Sequence, residues 1–475
     1  MNRETAFARL EAHGQEHVLR FWDRLDAGQR EALLGQVATL ELTAVDRMRG
    51  LLTSEPAMRS GEAMDPAPVI HLEGGEAQQA RAVGERLLRE GKVGVILVAG
   101  GQGSRLGYDG PKGAYAIGAV SGASLFFFHM RKVLALEQRF DTQIPVYIMT
   151  SEANDATTRA RFEAEAYFGL DPSRVFFFTQ GMWPALDADG RIILDAPGHI
   201  FMGPDGHGGT LAALKREGML DDMRSRGLST LFYFQVDNPL VEVADPAFLG
   251  IHTERGADIS LKVCAKRDAA EGLGVVVDRG GRCAVVEYTE LTEEQKTATG
   301  TDGQLLFRYG SVAIHVFDFE FLCREAVAAL PLHVAHKKVP VCNVDGDVQA
   351  PSEPNAYKFE KFIFDVLPDA NTVVNLAFDR AEEFSPLKNA EGSDSPETVR
   401  RDMVQKFAGW LAACGYDVPR DDSGASGVAI EIDPVFAYDA ETLAERLRAM
   451  PPLCFDHDIL LHAGVDGVTP PEASR

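Results

Sequence analysis

The chain has 475 residues, 45% hydrophobic and 25% charged, the balance of a globular protein with two or three domains. A net charge of -24 repels nucleic acid and anionic membranes, so neither is an expected partner. The N-terminus MNRETAFARLEAHGQ has no signal-peptide core, no run approaches a membrane span, and the six cysteines are scattered without C-x-x-C, which argues against zinc and for a reducing cytoplasm.

Residues 1 to 55 read as helices. Val18, Phe21, Trp22 and Leu25 fall at helical spacing, and Leu33, Leu34 and Val37 continue after Gly28. Residues 53–75, with several prolines and Gly74-Gly75, read as a connection, and a helix follows over 76–90. Val93 to Ala99 is an apolar, β-branched run, the signature of a strand buried on both faces. A helix over 124–140, a strand over 145–150, a charged helix to Phe168, and strands over 175–178 and 231–236 complete an α/β alternation. Residues 259–318 read as a β-rich excursion, 389–397 as an exposed connection, and the rest as a helix with strands around 428–432.

The stretch VGVILVAGGQGSRLGYDGPKGAY carries the strongest chemistry. After the buried strand comes a loop with six glycines in fourteen residues, Gly100, Gly101, Gly103, Gly107, Gly110 and Gly113, and two cations, Arg105 and Lys112. Glycine lets a backbone approach a ligand closely, and fixed positive charge beside it suits a polyphosphate. The spacing fits neither a dinucleotide fingerprint nor a P-loop. In such sheets ligands sit beyond the carboxyl ends of strands, which puts this loop, Gln180 and Asp237 at one rim.

Other candidates have two readings each. Gln180, in TQGMWPA, offers an amide that reads the imide edge of uracil, or satisfies a loop backbone. The loop Gly203-Pro204-Asp205-Gly206-His207-Gly208-Gly209 passes close to a base or sugar, or is a plain turn. Asp237 ends a strand as a ligand for Mg²⁺ bridging phosphates, or caps a turn. Glu287 accepts sugar hydroxyls, or is a solvated strand end. Lys358 and Lys361 sit three apart on an expected helix, and Lys388 lies in a proline-fixed turn; solvated lysines are the default. His333-x-x-His336 lacks a third ligand and reads as packing.

Taken in order, LVAGGQGSRLGYDGPKGAY, TQGMWPA, PDGHGGTLAAL, VDNPLVEVADPAFLG, VVEYTEL, YKFEKFIFDVL and EEFSPLKNAE resemble the eukaryotic-type UDP-N-acetylhexosamine pyrophosphorylases of the UTP-dependent UDP-sugar pyrophosphorylase family. The resemblance covers nearly the whole chain. It implies a helical N-terminal region (1–90), a central Rossmann-like nucleotidyltransferase domain with a mixed sheet (91–385) and a small α+β C-terminal domain (386–475). It implies UTP and a sugar 1-phosphate as substrates and a UDP-sugar and pyrophosphate as products, with Mg²⁺ as cofactor. By motif, Gly100, Gly101, Gly103, Arg105 and Lys112 would bind the triphosphate, and Gln180 and Gly206 the uracil. Asp237 would hold Mg²⁺, Gly274 and Glu287 the sugar, and Lys358 and Lys388 would reach the phosphates. Arg105, Lys112 and Lys388 would be the catalytic cations.

Two positions depart from the family. His207 stands where asparagine is usual, and Gly310-Ser311-Val312 replaces an asparagine–isoleucine pair. Both family asparagines belong to the sugar pocket, so His207 and Ser311 bear on sugar choice. N-acetylglucosamine 1-phosphate is the first expectation; glucose 1-phosphate or a broad set of sugar phosphates is the alternative. The motifs set no oligomeric state.

Overall fold

The structure is a computed structural model that describes residues 1–53, 64–422 and 424–462. Residues 54–63 of the connection expected over 53–75 lie outside them. The chain forms two compact units. The smaller comprises Met1–Ala63, Gln180–Ala212 and Ala328–Asp365, and the larger Met64–Thr179, Ala213–Val327 and Val366–Arg475.

The larger unit is built on a ten-stranded mixed sheet: β1 (Asp65–Pro66), β2 (Val93–Val98), β3 (Val146–Thr150), β4 (Val175–Thr179), β5 (Thr230–Gln235), β6 (Ile259–Ala265), β7 (Val275–Arg279), β8 (Arg282–Val286), β9 (Tyr309–Asp318) and β10 (Val373–Ala377). Strands β4, β3, β2 and β5 are neighbours in that order and run parallel, with Val95 opposite both Val146 and Phe232. Their apolar runs are the expected mark of strands covered on both faces. β9 joins β5 antiparallel, β6 lies antiparallel on β9 and parallel to β10, and β7 pairs antiparallel with β1, β8 and β9. Parallel register sets Val98, Thr150, Thr179 and Gln235 along one edge of the sheet, where ligands of open α/β sheets bind.

Helices close the faces. Leu125–Phe140 starts at Ser124, whose side chain accepts the Phe127 N–H, and buries Phe126, Phe128, Met130, Val133 and Leu136. Helix Gly74–Arg89 crosses Pro246–Glu254 so closely that a Cβ on Gly84 would lie 1.8 Å from the Pro246 carbonyl oxygen, and one on Gly250 1.7 Å from that of Ala80. Glycine at both positions is a packing requirement. Helix Pro396–Ala413 opens with a Ser395–Thr398 capping box and leads to a parallel pair, Ile430–Ile432 with Ile459–Leu461. Arg131 grips Asp433 with two nitrogens, and Glu431 accepts the Val120 and Ser121 N–H groups. These bonds fix the C-terminal segment within the larger unit.

The smaller unit packs helices Arg3–Glu11, Ala27–Thr39 and Leu42–Thr53 against short antiparallel hairpins of residues 182–204 and 333–360. Leu10, Val18, Leu33, Val37 and Met48 share a core with Leu186, Leu194, Ile200 and Phe359. Gln15, fully buried, donates to the Gly190 carbonyl and accepts the Ile192 N–H. Two local expectations are corrected here. Val18 to Leu25 forms two short 3₁₀ turns, Glu16–Leu19 and Trp22–Arg24, in place of one α-helix. Tyr357 to Glu360 is a strand, Ala356–Glu360, where a helix was expected. Its aromatic–cation alternation has period two as well as a three-residue recurrence, and pairing with His333–Lys337 selects the former.

Candidate active site

The glycine loop leaves β2 at the ligand edge of the sheet. It folds on itself: Gly103 N–H donates to the Gly110 carbonyl at 2.9 Å, and Lys112 N–H to that of Gly101 at 3.0 Å. Its glycines do different work. A Cβ on Gly103 would lie 2.6 Å from the Tyr108 ring, and one on Gly113 2.2 Å from the Phe126 ring, so those two serve internal packing. A Cβ on Gly101 would meet nothing within 4 Å, and Gly101 is exposed. Gly101 and Gly107, both exposed and with no described atom within 4 Å of such a Cβ, are therefore where the loop leaves room for a ligand. Gly100 is half-buried beside Gly101, and Arg105 is exposed on the turn Ser104–Leu106. Asn154, buried, holds the loop from below by donating to the Ala99 carbonyl at 3.1 Å and that of Gly101 at 3.3 Å.

Lys112, Asp237 and the Lys388 turn come together. Lys112 Nζ lies 3.8 Å from Asp237 Oδ2 and donates to the Leu387 carbonyl at 3.2 Å. Leu387 N–H in turn donates to the Asp237 carbonyl at 2.8 Å. The Lys112 and Asp237 side chains are only 19% and 14% exposed, so their attraction is weakly screened. Lys388 N–H donates to the Asp394 carbonyl, and its Nζ stands 6.0 Å over the Phe384 ring. One half-buried carboxylate beside a cation, at the rim of the sheet, is the kind of donor that holds Mg²⁺ together with phosphate oxygens and water. Asp237 fits that role.

The neighbour of Asp237 is a site residue that motif reading passed over. Asn238 is 4% exposed. Its Nδ2 donates to the Glu383 carbonyl at 2.6 Å, and its Oδ1 accepts the Ser385 N–H at 3.1 Å. It thus stitches the Asp237 turn to the Lys388 turn. The signal was present: an asparagine between Asp237 and Pro239 marks a built turn. The helix Leu125–Phe140 grips the same turn from the other side. His129 Nε2 donates to the Val236 carbonyl at 2.9 Å, and Lys132 Nζ to that of Val241 at 2.7 Å. Burial, with Lys406 adding to it, pulls Lys132 down to about 7, and burial with Lys132 nearby pulls His129 down to about 3.

The expected sugar residues also meet in the larger unit. Ser311 N–H donates to the Gly274 carbonyl at 2.9 Å. A Cβ on Gly274 would stand 3.2 Å from Glu287 Oε1, so glycine there keeps the carboxylate in place. Among the described residues Ser311 Oγ is buried without a hydrogen-bond partner.

Gln180, Gly206, His207 and Lys358 belong to the smaller unit. Gln180 is half-buried where the chain leaves β4. Gly206 has φ +84°, and a Cβ there would lie 2.5 Å from the Lys361 carbonyl oxygen. Glycine in this second loop is imposed by the backbone of Lys361 and Phe362, which the loop hugs. Lys358 pairs with Ala335 across the hairpin and stands 4.8 Å over the Phe201 ring. Burial lowers its pKa from the ordinary lysine value. His333 and His336 pack as expected, His333 on Phe362 and His336 on Tyr357. No described helix is long and apolar enough to cross a membrane, and the six cysteines carry free thiols.

The sequence model of the family described as UTP–glucose-1-phosphate uridylyltransferase matches residues 59–395. The chain is 36% identical over 481 residues to the UDP-N-acetylhexosamine pyrophosphorylase-like protein 1 of Xenopus tropicalis, covering 94% of each chain. It is 36% identical to UDP-N-acetylglucosamine diphosphorylase 2 of Arabidopsis thaliana, covering 93% of this chain and 91% of that one. The crystal structure of the uridine diphosphate N-acetylglucosamine pyrophosphorylase from Trypanosoma brucei superposes with a TM-score of 0.81 at 26% identity, covering 98% of this chain and 99% of that chain. A mixed α/β sheet with its glycine loop, carboxylate and lysine turn at one edge, and relatives that match end to end, lead to one conclusion: this chain belongs to the UTP–glucose-1-phosphate uridylyltransferase family.

Proposed function

We propose that this chain makes a UDP-sugar and pyrophosphate from UTP and a sugar 1-phosphate, with N-acetylglucosamine 1-phosphate as the sugar substrate. The observation that carries the chemistry is the joining of Lys112, Asp237 and the Lys388 turn through Leu387. The names of the Arabidopsis and Trypanosoma relatives support the sugar. The sugar phosphate oxygen attacks the α-phosphorus of UTP in line, and the bond to the β-phosphate breaks to release pyrophosphate. A phosphate already ionised at neutral pH needs no strong base, so positioning and charge neutralisation carry the rate. Lys112, tethered to Asp237 and Leu387, places a cation at the triphosphate, and Arg105 and Lys388 add charge from neighbouring turns. Mg²⁺ held by Asp237 would add Lewis-acid neutralisation of the phosphates. Gln180 and Gly206 would receive the uracil, with Gly274, Glu287 and Ser311 at the sugar and Lys358 toward the phosphates. Free thiols accord with a cytoplasmic enzyme.

Glucose 1-phosphate is the second reading, favoured by the Ser311 hydroxyl where a sugar-pocket amide is usual. Pyrophosphate release from UTP and Mg²⁺ with the 1-phosphates of N-acetylglucosamine, N-acetylgalactosamine, glucose and galactose separates the two. Preference for N-acetylglucosamine is expected. Preference for glucose transfers the assignment to the second reading, and no release with any of the four refutes uridylyl transfer.

A further inference from the structure

The turn that carries Lys388 is fastened at both ends to one carboxylate that lies outside it. Glu271, its side chain 7% exposed, begins the loop that reaches Gly274, and its carbonyl accepts the Leu273 N–H at 2.9 Å. Its Oε2 accepts the backbone N–H of Arg267 at 2.7 Å, and its Oε1 accepts from Arg267 Nε at 3.0 Å. The Arg380 guanidinium donates to the same Oε1. Arg380 opens the short helix Arg380–Glu383, which leads into the Lys388 turn. Arg267 reaches the other end of that turn, where one of its terminal nitrogens lies 3.2 Å from Asp394 Oδ1. The Asp394 carbonyl accepts both the Lys388 N–H, at 2.7 Å, and the Asn389 N–H, at 3.0 Å. Asp394 has φ +56°, a left-handed conformation that aspartate and asparagine adopt more readily than other side chains. Phe384 adds an apolar link. It shares a small core with Leu273, the residue before Gly274, and Arg380 Cζ, at 5.0 Å, and Lys388 Nζ, at 6.0 Å, both stand over its ring.

We propose that Glu271, Arg267 and Asp394 form a relay that ties the loop at Gly274 to the Lys388 turn, and that these three are positioning residues for the Lys388 ammonium. The role of Lys388 rests on the uridylyltransferase reading; the tether between the two segments does not. A lysine carries its charge on a flexible stem, so it neutralises developing charge well only when the backbone beneath it does not reorganise. Asn238 fixes the Lys388 turn toward Asp237. The relay fixes the same turn toward Gly274, whose carbonyl accepts the Ser311 N–H. Lys388 is thereby held between the carboxylate turn and the sugar-side loop. Withdrawn from water, Glu271 depends on its two guanidiniums, and removing either leaves its charge undercompensated.

Two measurements on the full chain test this. Asp394→Asn is the mildest cut, because it keeps the carbonyl and the left-handed backbone and removes only the charge that Arg267 holds. Hydrogen exchange at the Lys388 and Asn389 amides, read without substrates, is expected to quicken by roughly fivefold or more in Asp394→Asn and in Arg267→Gln. Unchanged exchange in both variants overturns the tether. In pyrophosphate-release kinetics each variant is expected to lower kcat by about fivefold to tenfold, with KM for UTP within about twofold of wild type, and Arg267→Lys to recover part of the loss. The double variant should lose no more than the worse single one, and in a Lys388→Ala background neither should lower kcat further. Additive losses, or losses that persist without Lys388, overturn the relay. Arg401, paired with Asp402 at the edge of the same cavity, is the control: Arg401→Gln should leave kcat within about twofold. A loss there equal to that of Arg267→Gln assigns the effect to the general field of charge and overturns the relay as well. A wild-type chain without pyrophosphate release sinks the uridylyltransferase reading, while the exchange result still decides the tether.

Discussion

Around Lys112 and Asp237 the larger unit uses hydrogen bonds and charge; around His207 the smaller unit uses aromatic faces. At the first site Asn238, Leu387 and Lys112 cross-link two turns through backbone carbonyls and amides, and His129 and Lys132 hold one of those turns from a helix. At the second, Phe362, His333 and Phe364 form a stack, and a single backbone N–H orients the imidazole. On the proposed function, the contrast follows from what each site would do. Stabilising a phosphoryl transition state needs charges that do not reorganise, and short bonds to the backbone fix a lysine better than stacking does. Receiving a neutral base needs a loop held in place, which stacking supplies with few polar groups to desolvate.

The sharpest way to break this comparison is to remove a fixed charge. Lys112→Ala is expected to lower kcat by about 10²–10³-fold while thermal melting stays near wild type; Lys388→Ala should follow the same pattern. Near-normal turnover would remove either lysine from the chemistry. Asn238→Ala comes next. It strips a buried acceptor from Ser385 N–H and a donor from the Glu383 carbonyl, at a stability cost of about 1–3 kcal/mol. If the stitch positions both turns, kcat falls by about tenfold or more with KM nearly unchanged, and Asn238→Asp, which keeps only the acceptor, recovers part of it. A stability loss with full kcat would reduce Asn238 to a structural role.

A glycine pair separates packing from ligand approach within one loop. Gly113→Ala drives a methyl into the Phe126 ring and is expected to destabilise by about 1–3 kcal/mol in denaturant titration. Gly101→Ala meets open space, so it should leave stability within about 0.5 kcal/mol and raise KM for UTP. Unchanged KM in the second variant would mean that the triphosphate does not approach Gly101.

The smallest effect is on pH. His129 and His252, both buried, are held down at about 3 and about 4, chiefly by burial. Their pKa values lie below the unfolded value, so their contribution is complete above about pH 6.5 and is lost as pH falls toward the folded values. Each should cost roughly 1–2 kcal/mol by pH 5, because the unfolded chain takes up protons that the folded rings refuse. His129→Gln retains an N–H for the Val236 carbonyl without a titrating ring, and its unfolding free energy should fall less between pH 7.5 and 5 than that of wild type. An equal fall would exonerate His129.

Much of this was legible in the residues. An unbroken apolar run such as Val93–Val98 marks a strand covered on both faces, and the glycine-rich turn with Lys112 after it is what the proposed anion site is built on. What could not be read was the purpose of each glycine. Gly103 and Gly113 face rings of their own unit, and Gly206 faces the Lys361 backbone, contacts that no spacing encodes. The strand at Tyr357–Glu360 reads as a helix from sequence for a related reason, since its pattern satisfies two periods and only a pairing partner chooses between them.

The sequence by itself determined the α/β class, the chain positions of the central strands and helices and the candidate cations, because periodicity and turn chemistry are local properties of the chain. Tertiary structure alone decided that Lys112, Asp237 and Leu387 share one hydrogen-bonded cluster, that Asn238 stitches it, and that the Ile363 N–H meets the His207 ring. Those depend on which backbone group, distant in sequence, arrives within about 3 Å of a side chain, and hydrogen bonds are short-ranged enough that only the folded geometry can decide it.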